Sequence, residues 1–469
     1  MFAKTGNYNL TEGKISKQLF LFAMPLLLGN MLQQIYFITD SIIVGQCLGS
    51  TALAAVGAAS AITILMVNFF TGMANGAGII LAQYVGAGDT NRLGQTIRAA
   101  SVFTIVFGII CSVIGVLCTP VFLRLMDTPS DVFVQADHYL TYCFAGMLPM
   151  LIYNMGASSL QAMGDSKTPL YFLSVACIVN VILDLTFVQI LDMDVEGTAI
   201  ATCIAQMVAA FLVCIAIKNK ITIGNKKNTT DQISINTNQV EGKERGRLLE
   251  IFKRIVILGL PIGMQSVVIN FSNIVVQSHI NSLGSDVMAA WSAFCRLDGF
   301  IILPFMSFSL AVMTFTGQNF GAKKPERIFG SLKAGLIMSC GFTVAVGILI
   351  VIFAKPCFQI FTKSPEVISY ACNMVYYMVP LYFMLAAARI YIGVISGAGN
   401  SITPMLINIL FMCIFRVIFL PVSVHMWGSN LMIVYYTYWI SWVLSLISIM
   451  VYYYAKMKKQ ILLLSNYDE

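Results

Sequence analysis

Gly164-Asp165-Ser166-Lys167-Thr168-Pro169 returns as Gly399-Asn400-Ser401-Ile402-Thr403-Pro404. Leu48-Gly49-Ser50 returns as Leu283-Gly284-Ser285, and Gly86-Ala87 as Gly321-Ala322, all at one spacing of 235 residues. Pro25 and Pro261 match one residue out of register, at 236. A chain of 469 residues therefore contains one unit of about 235 residues twice.

Both copies read as membrane helices. The chain is 58% hydrophobic and only 10% charged, with a mean hydropathy of +0.82. A soluble domain carries roughly 25% charged residues and cannot hide so much apolar surface. Apolar runs longer than about 18 residues read as spanning helices. Twelve occur, near 16–46, 53–84, 93–119, 132–160, 168–191, 196–218, 250–282, 287–319, 327–354, 366–395, 402–426 and 429–456. They lack the alternating polarity of spanning strands. The first run is longer than a signal-peptide apolar region and shows no obvious cleavage site.

The repeat then sets the topology. Six segments precede and six follow a polar interval at 219–249. An even number returns the chain to its starting side, so the copies are parallel repeats about an axis along the membrane normal. The expected fold is all-α: twelve transmembrane helices in two six-helix lobes around a central cleft. The lobes are expected at 16–218 and 250–456. Residues 1–15 and 457–469 are expected as tails and 219–249 as a solvated cytoplasmic linker. With the N-terminus placed inside, the inner segments hold 22 of the 28 Lys and Arg and the outer loops hold three, Arg124, Lys355 and Lys363. That bias puts both termini in the cytoplasm of a multi-pass cell-membrane protein. The net charge of +7 thus reports orientation rather than a nucleic-acid partner.

Buried acids carry the functional reading. Asp40, Asp184 and Asp298 lie deep in apolar segments, where a charge costs about 2.5–3.5 kcal/mol or more. Counted from the outer ends of their segments at 1.5 Å per residue, Asp40, Asp184 and Thr202 lie roughly 9–12 Å below the outer surface. Asn180 is one turn from Asp184 on the same face. If these groups converge, two carboxylates in a low dielectric resist double ionisation and a pair holds one proton. The same oxygens also suit a hard cation such as sodium. The structural alternative is a polar knot pinning three helices. Adding 235 maps Asp40 to Val275, Asn180 to Phe415, Asp184 to Phe419 and Thr202 to Thr437, so the second copy lacks the acids. That asymmetry favours function over architecture. Asp298 is expected in a structural ion pair with Arg416 or Arg296. Pro25 removes a helix hydrogen bond, giving a static kink or a bending point. Met66, Phe305, Met306 and Phe308 are candidates to line a substrate cleft, since Met suits promiscuous pockets. The twelve cysteines are scattered singly and the three histidines dispersed, which supports no metal site, disulfide framework or catalytic centre. No cofactor is expected beyond a coupling ion.

These residues also resemble a known family. Gln33-Gln34-Ile35-Tyr36 after Pro25, then Asp40-Ser41-Ile42-Ile43-Val44-Gly45, are similar to the first helix of multidrug and toxic compound extrusion (MATE) transporters. So are the Gly164–Pro169 loop, Asn180 to Asp184, Gly197-Thr198-Ala199-Ile200-Ala201-Thr202 and Gly317-Gln318-Asn319-Phe320-Gly321-Ala322. The acidic site is similar to the DNA-damage-inducible branch. The resemblance implies an antiporter that exports small organic, often cationic, compounds in exchange for protons or sodium; the chain is expected to act as a monomer. It implies a cation site of Asp40, Asn180, Asp184 and Thr202, with Tyr36 and Asn154 nearby, and bending at Pro25. The sodium-binding branch places an acid in the seventh helix; Val267-Val268-Ile269-Asn270-Phe271 has none here. The competing reading is a lipid-linked oligosaccharide flippase, which needs a strongly cationic cavity. An integral-membrane enzyme would need a nucleophile–base pair that the chain lacks.

Overall fold

A computed structural model describes residues 9–126, 128–227 and 240–464. The described residues form α1 (Ile15–Ile43), α2 (Ser50–Ala87), α3 (Thr90–Leu125), α4 (Ser130–Ala145), α5 (Met147–Ala162), α6 (Lys167–Leu185), α7 (Val195–Lys227), α8 (Val240–Ser282), α9 (Ser285–Gly321), α10 (Pro325–Ile352), α11 (Ala354–Phe361), α12 (Pro365–Met378), α13 (Tyr382–Gly397), α14 (Ile402–Asn408), α15 (Phe415–Trp427), α16 (Leu431–Tyr452) and α17 (Lys458–Leu462). Among the described residues there is no strand. Eleven spans are long and apolar enough to cross a membrane, or twelve if α4 and α5, bent by 46°, are one broken span. The expected linker is shorter in ordered terms than its polarity implied. Helix α7 runs on to Lys227 and α8 starts at Val240, and the centre of 219–249 lies outside the described residues.

The doubled loop of the sequence is a doubled helix cap. Asp165 accepts from the Thr168 backbone N–H at 3.0 Å and from its hydroxyl at 2.7 Å. Lys220 completes the set with a 2.6 Å ion pair to Asp165. Asn400 repeats the turn, accepting from the Thr403 N–H at 3.1 Å and donating to Tyr452 at 2.6 Å. Such a cap satisfies a first-turn donor that would otherwise be left unpaired, and the following Pro sits where its missing N–H does no harm.

The chain packs as two compact units. Leu28–Gly263 form one; Asn9–Leu27 join the chain from Met264 onwards in the other. These limits depart from the expected lobe ends in two helices. Helix α1 passes from the second unit to the first between Leu27 and Leu28, and α8 passes the other way between Gly263 and Met264. The reason lies in the helix feet. Ile15 packs against Gly330 and the Phe20 ring lies 6.4 Å from Phe342, both in the second unit. In the first unit, Gly259 and Gly263 of α8 lie against Gly72 and Gly76 of α2. Small residues let helix backbones approach closely in a membrane, where no hydrophobic effect drives association.

Each unit has its own core. That of the first gathers Val44, Phe70, Tyr139, Phe144 and Leu151; that of the second gathers Trp291, Phe294, Phe305, Tyr435 and Trp442. Outward faces are apolar: Val102, Ile109, Val113 and Leu117 of α3 are all at least 49% exposed. Water would penalise that surface; lipid does not.

A β-carbon on Gly76 would collide with the Gly259 backbone, whereas one on Gly94 meets nothing within 4 Å. Gly76→Ala is therefore expected to lower stability by about 1–3 kcal/mol. Gly94→Ala should be neutral or gain up to about 1 kcal/mol from helix propensity. Thermal unfolding of the two purified variants in detergent checks the contrast.

Candidate functional site

The acids meet in the first unit. Asp40 on α1 is 8% exposed and Asp184 on α6 is fully buried. Their carboxyls lie within hydrogen-bonding reach of each other. Oδ1 of each is buried with no hydrogen-bond donor among the described residues. Two acceptors in contact repel unless a proton or a cation lies between them.

A hydrogen-bonded chain supports the pair from one side. Asn180, one turn before Asp184, satisfies both its neighbours in one amide orientation. Its nitrogen donates to Asp184 Oδ2 at 2.9 Å and its oxygen accepts from the Thr202 backbone N–H at 3.3 Å. That same amide atom lies 3.3 Å from Thr202 Oγ1, which in turn lies 3.0 Å from the Tyr36 hydroxyl. With the amide so placed, the chain has one direction: Tyr36 donates to Thr202, Thr202 to Asn180, and Asn180 to Asp184. Helices α1, α6 and α7 thus supply two carboxyls, an amide and two hydroxyls. Each acid is followed closely by a π turn, at Val44–Leu48 and at Thr186–Ile190. Such wide turns interrupt helices chiefly at functional positions.

The other candidates fall elsewhere. Asn154 gives its amide hydrogen to the Met150 carbonyl at 2.8 Å and makes no hydrogen bond to the acids among the described residues. Pro25 is buried within an unbroken α1. Phe305 and Phe308 do not line a cleft, for both are sealed in the second unit. Three residues apart, they share a helix face, while Met306 is turned away and 41% exposed. Met66 packs at the edge of the first core. Tyr139 on α4, within electrostatic range of Asp40 and Tyr36, escaped the sequence reading. Its only signal was a phenol in the apolar segment 132–160.

The ion pair expected for Asp298 does not form among the described residues. Asp298 on α9 accepts from the Tyr382 hydroxyl of α13. Arg416 faces α16 instead, donating from Nε to Ser441 at 2.9 Å and from Nη2 to the Met412 sulfur at 3.1 Å. Its guanidinium carbon lies 4.2 Å from the centre of the Tyr438 ring.

Arg416 also corrects the register of the repeat. A π turn at Ile409–Ile414 adds a residue to the second copy ahead of the site. Beyond it the spacing is 236, not 235. Buried Ala176, Asn180 and Asp184 then correspond to buried Met412, Arg416 and Leu420. The helices α7 and α16 also begin 236 apart, at Val195 and Leu431. Thr202 therefore corresponds to Tyr438, not Thr437; Asp40, far ahead of that turn, corresponds to Val276 by the 236-residue spacing of Pro25 and Pro261. The Asn180–Thr202 contact of the first unit becomes Arg416 over Tyr438 in the second. Phe415 and Phe419 are a stacked pair, centroids 4.9 Å apart, on a neighbouring face. The acids still have no counterpart, and a guanidinium stands where the first unit has an amide.

The MatE family profile matches residues 25–186 and again 261–422, starting at Pro25 and Pro261. The chain belongs to the MatE family. MATE proteins are membrane transporters, not enzymes, and this chain is a multi-pass member. It is similar to YpnP, a probable multidrug resistance protein of Bacillus subtilis (strain 168), at 29% identity across 87% of this chain and 88% of that protein. It shares its fold with a MOP superfamily transporter from Pyrococcus furiosus Vc1 (DSM3638) noted for reversed pocket polarity, at TM-score 0.85 and 19% identity over 98% of this chain and 99% of that one. The fold is likewise that of the Vibrio cholerae MATE transporter VcmN in its bent form, at TM-score 0.83 and 20% identity over 96% and 98%.

The corrected register has a stability signature. Leu420→Ala, at the position matching Asp184, is expected to cost about 2–5 kcal/mol. Phe419→Leu, on the neighbouring face, should cost less than about 1.5 kcal/mol. Thermal unfolding in detergent reads both, and the opposite order would restore the spacing of 235.

Proposed function

We propose that this MATE transporter is a multidrug efflux antiporter of the cytoplasmic membrane, with both termini inside. It exports organic, often cationic, compounds in exchange for inward protons or sodium ions, as a monomer and without a cofactor. The observation that carries this reading is the contact between the Asp40 and Asp184 carboxyls.

The exchange follows from charge. With a proton or sodium ion between them, the two acids and Asn180, Thr202 and Tyr36 form a closed cluster that keeps a single negative charge. When the ion leaves, two like charges face each other in a low dielectric and attract any other cation nearby. A cationic drug and the coupling ion therefore compete for one negative region, and loading the ion releases the drug. Each charge entering the cell contributes about 2.3 kcal/mol per 100 mV of membrane potential. Oxygen donors alone suit sodium, and a carboxyl pair suits a proton, so both ions remain in the proposal. The drug-export reading draws on YpnP, which is named for multidrug resistance. The flippase alternative has no support: Arg416 is closed off by Ser441, Met412 and Tyr438 and offers no cationic cavity.

Asp40→Asn is expected to leave the protein folded and inserted but to abolish ion-driven efflux, and Asp184→Asn to do the same. Efflux from proteoliposomes under separately imposed proton and sodium gradients measures this and names the ion. Wild-type rates from Asp40→Asn would refute the assignment.

A further inference from the structure

Among the described residues, Arg327 is the side chain with the most bonds to the segment leading into α1. Arg327, near the start of α10, donates from Nη1 to the Gly13 carbonyl at 2.8 Å. Its Nη2 lies 3.0 Å from the Leu10 carbonyl, 3.2 Å from that of Glu12 and 2.9 Å from Gln18 Oε1. Its Nε donates to Asn319 Oδ1 at 3.0 Å, and the guanidinium rests over the Phe315 ring at 5.4 Å. Asn319 in turn donates to the Leu10 carbonyl at 3.1 Å, and Lys324 to the Thr11 carbonyl at 2.9 Å. Gly13, at φ +80°, makes the turn that presents these carbonyls. Only a planar fork with five N–H groups can reach so many acceptors at once.

All these partners belong to the second unit. Helix α1 leaves that unit between Leu27 and Leu28, two residues after Pro25. Beyond the change it carries Tyr36 and Asp40 into the acid cluster of the first unit. Pro25 lacks the N–H that would have bonded the Leu21 carbonyl, so the helix is weakest close to the place where it changes unit. A helix pulled at one end bends only if the other end is fixed; otherwise it slides or turns whole.

We propose that Arg327 is the positioning residue that holds the foot of α1 still, so that a change of charge at Asp40 bends the helix at Pro25. This rests on the coupling reading of Asp40. The repeat supplies an internal control. Arg92 occupies the position of Arg327 in the first copy, 235 residues earlier. Its side chain is 63% exposed and pairs with Asp89 at 3.3 Å. The foot of α8 is held by other means: Arg254 donates to the Tyr84 hydroxyl at 3.2 Å, and further along Gly259 and Gly263 pack against the backbone of Met73 and Phe69. Backbone packing of that kind does not depend on one guanidinium. The two repeats thus fix their first helices differently, and the guanidinium bonded to several carbonyls at once holds the helix that bears Asp40.

The full-length protein in proteoliposomes tests this with ethidium as the exported cation and an internal pH dye for proton entry. Arg327→Ala is expected to bind ethidium as the wild type does, yet to lose about tenfold in ion-driven efflux, the scale of a coupling between sites. Proton entry should persist without export. Arg327→Lys keeps the charge but not the fork and should not restore the rate, while Arg92→Ala should match the wild type. Wild-type efflux from Arg327→Ala, or an equal loss from Arg92→Ala, overturns the proposal. Hydrogen–deuterium exchange of the unmodified protein decides the matter if Arg327→Ala does not fold. Amides of residues 10–19 should keep their protection between acid and alkaline pH while those of 28–40 change, and a foot that changes together with the outer half overturns the anchor. Failure of the wild type itself to show ion-driven efflux would count against the coupling reading alone, since the exchange measurement needs no transport.

Discussion

Two carboxyl groups within hydrogen-bonding reach of each other in membrane-spanning helices are the constraint from which the rest of the molecule follows. Neither can be moved to water without unwinding a spanning helix. Neither can give up its charge to a basic neighbour, because no ion pair reaches Asp40 or Asp184 among the described residues. Their neighbours in the hydrogen-bonded chain are an amide, a hydroxyl and a phenol, which add no charge. In the proposed mechanism the balance is left to a mobile cation. Buried acids that served only to fasten helices would have every oxygen satisfied, as Asp165 does in its cap. Here one oxygen of each acid is held back from any protein donor.

The second unit shows what the same frame looks like with its charge built in. Arg416 lies at the position of Asn180 and stacks on Tyr438, which lies at the position of Thr202. Leucine and valine replace the two acids. A guanidinium is a tethered cation that cannot be exchanged, and its contacts to Ser441, Met412 and an aromatic face satisfy it locally. In the proposed mechanism one unit takes its positive charge from solution and the other from its own arginine side chain, so that only the first changes state with an ion gradient. The single π turn at Ile409–Ile414 is enough to bring Arg416 onto the inward face, since one added residue rotates the following helix by about 100°.

Much of this was legible in the sequence. Spans, repeat and acid depths follow from hydropathy and counting, because a bilayer imposes length on its helices and a high cost on buried charge. Asp40, Asp184 and Thr202 were visible as groups of similar depth, with Asn180 one turn from Asp184, but their convergence was not. What escaped has a common cause. The π turn, the pairing of Asp298 with Tyr382 and the passage of α1 and α8 between units all depend on which face a helix presents to which neighbour. Periodicity does not carry that information where both faces are apolar. Phe305 and Phe308 looked like cleft residues for the same reason: a phenylalanine in a membrane helix has one composition signal for core, lipid and cavity. Tyr139 was missed because a phenol buried in an apolar segment has the same signal whether it packs in a core or faces an acid.

The central claim is that the Asp40–Asp184 pair shares one exchangeable cation. Infrared difference spectroscopy of the carboxyl C=O stretch, recorded on the reconstituted protein between acid and alkaline pH, tests it most directly. The account requires a protonated-carboxyl band that disappears as the pH rises, or when sodium is added at fixed pH, and that is missing from both Asp40→Asn and Asp184→Asn. A band that survives unchanged in either variant, or a wild-type spectrum with no difference from theirs, would contradict it.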